Sequence, residues 1–234
     1  MSAFPSPAEV SPGDAPTDAA ARLEQACGRM GLDLSAAQRA CLLEYLAQLQ
    51  RWNRTYNLTA IRDPGQMLVQ HLFDSLAVVG PLERALRGKT DVRVLDVGSG
   101  GGLPGVVLAI ACPAWRIRCV DAVEKKAAFV RQAAAVLALP RLQAVHARVE
   151  SLPPADCDVV VSRAFASLAD FAELAGRHAD NDGTLVAMKG REPLEEIAAL
   201  PQQGPWRVER VEPLTVPELD ARRCLVWMRR KGTV

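Results

Sequence analysis

A carboxylate followed at once by a cluster of glycines is the first place in this chain where chemistry could be done. Asp96 stands two residues before Gly98, and four glycines fall between Gly98 and Gly102, with Pro104 and Gly105 just beyond. Ahead of them Val92, Val94, Leu95 and Val97 read as a buried parallel strand. Pro104 is expected at the first position of the helix that follows. Strand, glycine turn and helix together let a backbone approach a nucleotide-like ligand closely, with helix N–H groups aimed at it. The glycines fit two registers, Gly98–Gly100–Leu103 and Gly100–Gly102–Gly105. The diphosphate of a dinucleotide would meet the charge of Asp96 at this turn. S-adenosylmethionine has no phosphate and carries a sulfonium and an ammonium, so the loop reads as a methyl-donor loop. A purely bracing role for Asp96, through hydrogen bonds to the backbone, is the competing reading.

Ligands of parallel sheets sit at the carboxyl ends of the strands, and the later strand ends carry further suitable side chains. Asp121 closes a second strand, twenty-five residues after Asp96. It is placed to accept hydrogen bonds from ribose hydroxyls, with capping of the helix that opens at Glu124 as the alternative. Beyond a third strand, Val149 and Glu150 fall where an adenine pocket would be lined; a solvated loop competes. A fourth strand ends Ser162-Arg163-Ala164-Phe165. Methylation of an exocyclic amine calls for an Asn- or Asp-Pro-Pro-aromatic stretch there, because the amine needs an acceptor, and Arg163 supplies only donors. Methylation of a base carbon calls for a cysteine at a strand tip, whereas Cys157 opens the fourth strand. The fifth strand ends Met188-Lys189-Gly190-Arg191. Cations at two strand tips suit an anionic or acceptor-rich substrate, and RNA phosphate and the O6 edge of guanine both qualify. Guanine N7 has its lone pair free, so alignment with the methyl group is most of the catalysis and no general base is needed. Arg163 and Lys189 are therefore the candidate catalytic residues; either could instead grip the methionine carboxylate, for Arg163 as an equal alternative.

The elements that must position these groups are legible in order. With 234 residues, 49% of them hydrophobic and 24% charged, the chain has the composition of one sizeable globular domain. A net charge of +1 excludes a globally basic nucleic-acid binder and leaves room for a local basic face. The six cysteines form no Cys-x-x-Cys pair and read as reduced core residues, not as a disulfide framework or metal site. No apolar stretch reaches membrane-spanning length and no signal peptide is apparent, so a cytoplasmic protein is expected, with no membrane partner and no metal. Residues 1–18, with Pro5, Pro7, Pro12 and Pro16, read as a disordered tail. Residues 19–80 read as a helical N-terminal cap of about three helices. The first runs from Ala19 to Met30. The second opens on a Ser35/Gln38 capping box and sends Tyr45 and Trp52 into plain core packing. The third opens at Asp63-Pro64, and its His71 and Asp74 share a face, which suggests a bracing hydrogen bond. Between the last two lies a polar turn whose Asn57 and Arg62 are candidate RNA contacts. From residue 81 to 234 strands and helices alternate, which predicts a doubly wound parallel α/β sheet closed by an antiparallel hairpin.

Taken together, Trp52-Asn53, Tyr56-Asn-Leu-Thr59, Asp63-Pro64, His71 with Asp74-Ser75, Asp96-Val-Gly-Ser-Gly-Gly-Gly-Leu-Pro-Gly105, Ser162-Arg-Ala-Phe-Ala166 and Met188-Lys-Gly190 occur in one order. That set resembles the bacterial small-subunit rRNA guanine-N7 methyltransferases, also called glucose-inhibited division protein B, over about residues 20–230. The resemblance implies a Rossmann-like seven-stranded methyltransferase sheet, S-adenosyl-L-methionine as cofactor, and a guanine of 16S rRNA as target, in the small ribosomal subunit or an assembly intermediate. It places cofactor contacts on Gly98, Leu103, Val149, Glu150 and Arg163, which join Asp96, Gly100 and Asp121 from the reading above; Lys189 joins Asn57 and Arg62 toward RNA. A monomer is expected. The basic end (Arg229, Arg230, Lys231) lies outside the pattern and reads equally as a solubilising tail or an RNA contact. Two other classes compete. One is a nicotinamide-dependent oxidoreductase using the Gly100/Gly102/Gly105 register, and the other is an RNA-binding protein that has kept the cofactor fold without catalysis.

Overall fold

A computed structural model describes residues 16–163, 165, 167–200 and 204–232. Most of the expected tail, and Ala164 and Ala166 of the fourth-strand motif, lie outside the described residues. Helix α1 spans Pro16–Met30, so the first helix takes in three residues assigned to the tail. Helix α2 spans Ala36–Tyr56, and its N-terminus is the expected capping box: the Ser35 hydroxyl accepts from the Gln38 N–H at 3.2 Å, and Gln38 Oε1 accepts from the Ser35 N–H at 2.9 Å. The Gln38 amide also donates to the carbonyls of Ile110 (2.9 Å) and Ala111 (3.0 Å), so one side chain caps a helix and docks it on another.

The expected third helix is broken. Helix α3 (Pro64–Met67) is capped by Asp63 Oδ1, which accepts from the Gln66 N–H at 2.8 Å, and α4 covers Asp74–Leu76. Between them Leu68–Phe73 winds as a π-helix, in which the Asp74 N–H reaches back to the carbonyl of Val69. A further helix, α5 (Val79–Ala85), completes the cap. One apolar core runs from Leu23, Leu46 and Phe73 of the cap into Val94, Val107 and Phe129 of the sheet region.

The sheet holds β1 (Arg93–Val97), β2 (Arg116–Asp121), β3 (Leu142–His146), β4 (Cys157–Ser162), β5 (Ala179–Lys189), β6 (Trp206–Leu214) and β7 (Arg223–Arg230). Their order across the sheet is β3-β2-β1-β4-β5-β7-β6. The first five pair parallel, and β7 pairs antiparallel with both β5 and β6, which gives the expected terminal hairpin. Order reverses between β1 and β4, the place where such sheets open a crevice at their carboxyl ends. Helices α6 (Gly105–Ala111) and α7 (Glu124–Val136) follow β1 and β2; α8 (Leu168–Ala175) and α9 (Leu194–Ala199) follow β4 and β5. Pro104 is the N-cap and not the first helical residue, behind a cis Leu103–Pro104 bond. Strand β5 starts at Ala179, earlier than the apolar run suggests, because Ala179 still pairs with Cys157 across a register shift. Only a short 3-10 turn, Val149–Ser151, lies between β3 and β4, where a crossover helix is usual.

Candidate active site at the strand tips

The glycine loop is pinned from three sides. The N–H groups of Gly98 and Ser99 donate to the Val120 carbonyl at 2.9 and 3.1 Å, which ties the loop to the β2 tip. Asp121 Oδ2 accepts from the Gly100 N–H at 2.9 Å, and its Oδ1 accepts from the Val123 N–H at 2.8 Å. The carboxylate thus holds the entrance of α7, as its capping reading expects, and also the glycine loop, a role not read from the sequence. The third anchor was not expected. Tyr45, fully buried in α2, donates its hydroxyl to the Gly101 carbonyl at 2.6 Å. Its aromatic spacing in a helix pointed to core packing alone, and nothing local in the sequence signals a bond across fifty-six residues.

The glycines divide by what surrounds them. Gly98 and Gly100 adopt left-handed φ values of 67° and 58°, and a Cβ on Gly100 would meet nothing within 4 Å. A Cβ on Gly102 would stand 2.3 Å from the Val106 side chain, and one on Gly105 would stand 2.3 Å from Cys119 Sγ. Gly105 therefore serves close packing of α6 on β1 and β2, and Gly102, itself left-handed at φ 88°, packs under Val106 and Val130 of α6 and α7, while Gly100 faces open space. Leu103, buried, donates its N–H to the Ser99 carbonyl at 2.9 Å.

Asp96 lies beneath the loop, fully buried. Its Oδ2 accepts from the Gly105 N–H at 2.8 Å, while Oδ1 has no protein partner. Burial raises its carboxyl to about 7, against the lowering effect of the Gly105 hydrogen bond and the charge of Arg163. The bracing role is present, and the orphaned oxygen leaves capacity for a nearby cation. Val149 is buried, with its carbonyl accepting from His178 Nε2 at 3.0 Å. Glu150 is half-exposed and accepts from Arg148 Nε at 2.6 Å, a hydrogen bond that holds its carboxyl below the usual range.

Across the reversal of strand order, a second group of residues lines a cavity of about 350 Å³ that includes Gln70, His71, Asp74, Arg163, Lys189 and Arg223. Asp74, buried, binds two arginines: Arg163 Nη1 stands 3.4 Å from Oδ2, and Arg223 Nε donates to Oδ1 at 2.8 Å. Arg163 also donates to the Gln70 carbonyl at 3.2 Å. The π-helical turn places Gln70 and Asp74 to take the same guanidinium. The Ser162 hydroxyl donates to the Val97 carbonyl at 2.8 Å and fixes the β4 tip against β1.

The expected His71–Asp74 bond is not formed, because the π-turn changes the face that each residue presents. His71 Nε2 bonds Thr59 Oγ1 at 2.8 Å, and Nδ1 is buried without a partner. Burial and then the charge of Arg163 lower its imidazole to about 4, so it is neutral at physiological pH. Lys189 shares the cavity, yet its ammonium is held by both oxygens of Glu196 (2.8 and 3.0 Å) and by the Phe165 carbonyl (3.3 Å). Asn57 and Arg62 lie exposed on the turn after α2, bonded to each other at 2.9 Å. Arg223 and Glu196 escaped the sequence reading: Arg223 meets Asp74 across 149 residues, and Glu196 meets Lys189 seven residues back through the turn from β5 into α9. Cys157 is buried at the start of β4 with its thiol pushed up to about 11 by burial, which fits no nucleophile. All six cysteines are free, and among the described residues no group of His, Cys, Asp and Glu could hold a metal. Arg229 and Arg230 are part of β7, Arg229 paired to Glu209 at 3.0 Å and Arg230 stacked on Trp206. No helix among the described residues is long and apolar enough to cross a membrane.

Comparison with known proteins agrees with this geometry. Residues 38–226 match the family model described as rRNA small subunit methyltransferase G. A ribosomal RNA small subunit methyltransferase G from Bordetella petrii is 67% identical over 223 residues, 95% of this chain and 88% of that one. Its counterpart from Bordetella avium is 68% identical over 92% of this chain and 96% of its own. Among solved structures, a SAM-dependent methyltransferase from Aquifex aeolicus superposes with a TM-score of 0.52 at 19% identity, over 71% of this chain and 93% of that one, a likeness of fold. On the family match and these identities, the chain belongs to the rRNA small subunit methyltransferase G family.

Proposed function

We propose that this protein transfers a methyl group from S-adenosyl-L-methionine to N7 of a guanine in 16S rRNA, as a cytoplasmic monomer acting on the small ribosomal subunit or an assembly intermediate. The helices through α5 serve as the cap and the sheet with its helices as the methyl-donor domain, which moves the boundary expected between residues 19–80 and 81–234 past the end of α5 at Ala85. The fit of the methyl donor rests on the open space over Gly100, the left-handed turns at Gly98 and Gly100, and the unpartnered oxygen of buried Asp96. Gly98, Gly100 and Leu103 would hold it, with Asp121 toward the ribose and Val149 and Glu150 toward the adenine. S-adenosylmethionine, when bound, supplies an electrophilic methyl group. The side chains of Val106 and Val130 over Gly102 argue against the dinucleotide register, whose second glycine must lie open to the diphosphate.

The observation that carries the target atom is the Asp74–Arg163–Arg223 cluster at the β4 tip. Asp74 and the Gln70 carbonyl hold the Arg163 guanidinium in one orientation, leaving donors for an acceptor-rich base edge such as guanine O6. Among the described residues, the acceptors of this cavity, the Asp74 carboxylate and the Gln70 carbonyl, already take arginine N–H groups, which speaks against an exocyclic amine as target. With His71 neutral and no nucleophilic cysteine at a strand tip, these residues bind and orient; they take no proton, and N7 requires none removed. Lys189 sets the other wall through Glu196, and Asn57 and Arg62 stand at the exposed rim toward RNA phosphate.

The test is transfer from labelled S-adenosylmethionine to 16S rRNA, naked and as small-subunit particles, followed by nucleoside identification. N7-methylguanosine at one site is expected. Label on another atom refutes the reading of the β4 tip, and no label on any form, despite donor binding, favours an RNA-binding role.

A further inference from the structure

The absence of a crossover helix between β3 and β4 leaves part of one sheet face uncovered, and that part is paved with arginine. Arg93 lies in register with Arg116, and Arg118 with Gln143, on β1, β2 and β3. Arg116 and Arg118 alternate with buried Ile117 and Cys119, so they share the outer face. Nearer the strand tips the same face is closed by Leu95, Val97 and Val120, packed with Val149 of the short connection. At the amino ends the connection no longer covers the sheet, and Arg93, Arg116, Arg118 and Arg141 line an open cleft of about 560 Å³.

Four guanidinium groups so arranged repel one another and need an anion. Among the described residues, one carboxylate, Asp91, is in ion-pair range of them, at 2.9 Å from Arg116. Arg118 reaches only the Gln143 amide oxygen, at 3.5 Å, and Arg141 the Ala114 carbonyl, at 3.4 Å. Asp158 is taken by Lys89 and the Arg93 N–H and also feels the Arg93 charge, and Asp156 stands exposed beside it. The chain as a whole carries a net charge of only +1, so this positive face is local.

We propose that this cleft is a second RNA-docking surface, binding phosphodiester backbone at the end of the sheet opposite the methyl-donor loop. The inference rests on the reading of the substrate as RNA. Strand geometry sets the arginine positions about 4.8 Å apart across the sheet and about 6.6 Å apart along β2, a two-dimensional array suited to a run of phosphates. Guanidinium forks match phosphate oxygens better than any other side chain does. Among the described residues no aromatic side chain lines the cleft to stack a base, so the contact is to backbone and independent of sequence. From Arg116 to Asp121 is about 17 Å along β2. An RNA reaching both ends must therefore extend well beyond the target nucleotide, as the RNA of a ribosomal subunit does.

The test is the salt dependence of binding to 16S rRNA by the full chain and by R116Q/R118Q/R141Q. Removal of three phosphate contacts lowers the slope of log K against log salt by about 2 and weakens binding roughly fifty-fold at 0.15 M salt. The kcat at saturating RNA and the affinity for S-adenosylmethionine stay unchanged, and the charge-preserving R116K/R118K/R141K retains the slope. Should the triple glutamine variant lose its cooperative thermal transition, R118Q alone decides, with an expected slope change of about 0.7. A wild-type enzyme that methylates the RNA while the glutamine variants bind it with unaltered slope and affinity overturns this inference and leaves the proposed function standing. A wild-type chain that binds no small-subunit RNA overturns both, and competition by polyglutamate as effective as by RNA would reassign the face to an acidic protein.

Discussion

Exchanging Gly105 and Gly100 separately for alanine tests whether the glycine loop divides into packing and ligand positions. A Cβ at Gly105 would lie 2.3 Å from Cys119 Sγ and 2.7 Å from Asp96 Oδ2, and both atoms belong to buried, immobile side chains. Forcing one methyl into such a core costs about 1–3 kcal/mol. The displaced backbone also strains the 2.8 Å hydrogen bond from the Gly105 N–H to Asp96; a bond to a charged or charge-bearing group contributes about 1.5–3 kcal/mol. With part of that bond surviving, Gly105→Ala should destabilise by about 3 kcal/mol, a fall in Tm of roughly 6–12 °C for a domain of this size. Gly100→Ala meets no neighbour within 4 Å. It bears only the left-handed backbone penalty of about 1–2 kcal/mol, so its Tm should fall by about 2–8 °C. Ligand binding should show the reverse order. The new methyl of Gly100→Ala occupies the approach and should weaken S-adenosylmethionine binding by at least about tenfold, roughly 1.4 kcal/mol. Calorimetric melting and titration of the two variants measure both quantities. Cys119→Ala in the Gly105→Ala background removes the closest clashing atom and should recover about 1 kcal/mol more than additivity allows. Equal melting of the two variants, or a Gly105→Ala protein that melts like wild type but has lost the ligand, would refute the division.

Asp74→Asn removes the charge shared by Arg163 and Arg223; it should cost about 2 kcal/mol in stability and lower kcat for rRNA methylation at least tenfold while donor affinity is retained, checked by melting and steady-state kinetics. Tyr45→Phe deletes the hydroxyl that holds the Gly101 carbonyl and should cost about 1–2 kcal/mol and loosen donor binding several-fold, measured by calorimetry. His71 and Asp96 make opposite contributions to stability against pH. His71, lowered from 6.5 to about 4, adds stability above 6.5 that is lost as pH falls toward 4, while Asp96, raised from 3.8 to about 7, adds stability below 3.8 that is lost as pH rises through 7. The two nearly cancel between pH 4 and 6.5, so His71→Gln should unmask a fall in stability with rising pH and Asp96→Asn a rise, each of about 3–4 kcal/mol over the window, read from denaturant unfolding; flat profiles in both variants would refute the assignment.

Most strands were legible because their signal is local: β-branched runs such as Val92–Val97 and Cys157–Val161 are bounded by glycine or polar turns and settled into strands within a residue or two, whereas β5 begins five residues before its apolar run. The Ser35/Gln38 box was equally plain, since both partners lie three residues apart. What failed to show was nonlocal. Arg223 meets Asp74 across 149 residues, and Tyr45 meets Gly101 across 56, so neither partner marks the other in the chain. The π-turn was invisible for a different reason. Leu68, Val69, Leu72 and Phe73 are apolar on nearly every side, and a helix buried all round gives no periodicity from which to read its pitch.

That turn also sets how the chain tolerates insertion and deletion. A π-turn holds one residue more than the α-helical frame around it. Deleting any one residue of 68–73 would let the segment relax into regular helix with every backbone bond still made. Because the turn already absorbs that residue, the helix on either side would keep its face, while the carbonyls of the turn would be drawn into regular helical bonds. Gln70 and Asp74 would then no longer converge on one guanidinium. A helix can be built from either count of residues, but only the longer one brings Gln70 and Asp74 to one guanidinium, so the site constrains the length of this segment more tightly than the backbone does.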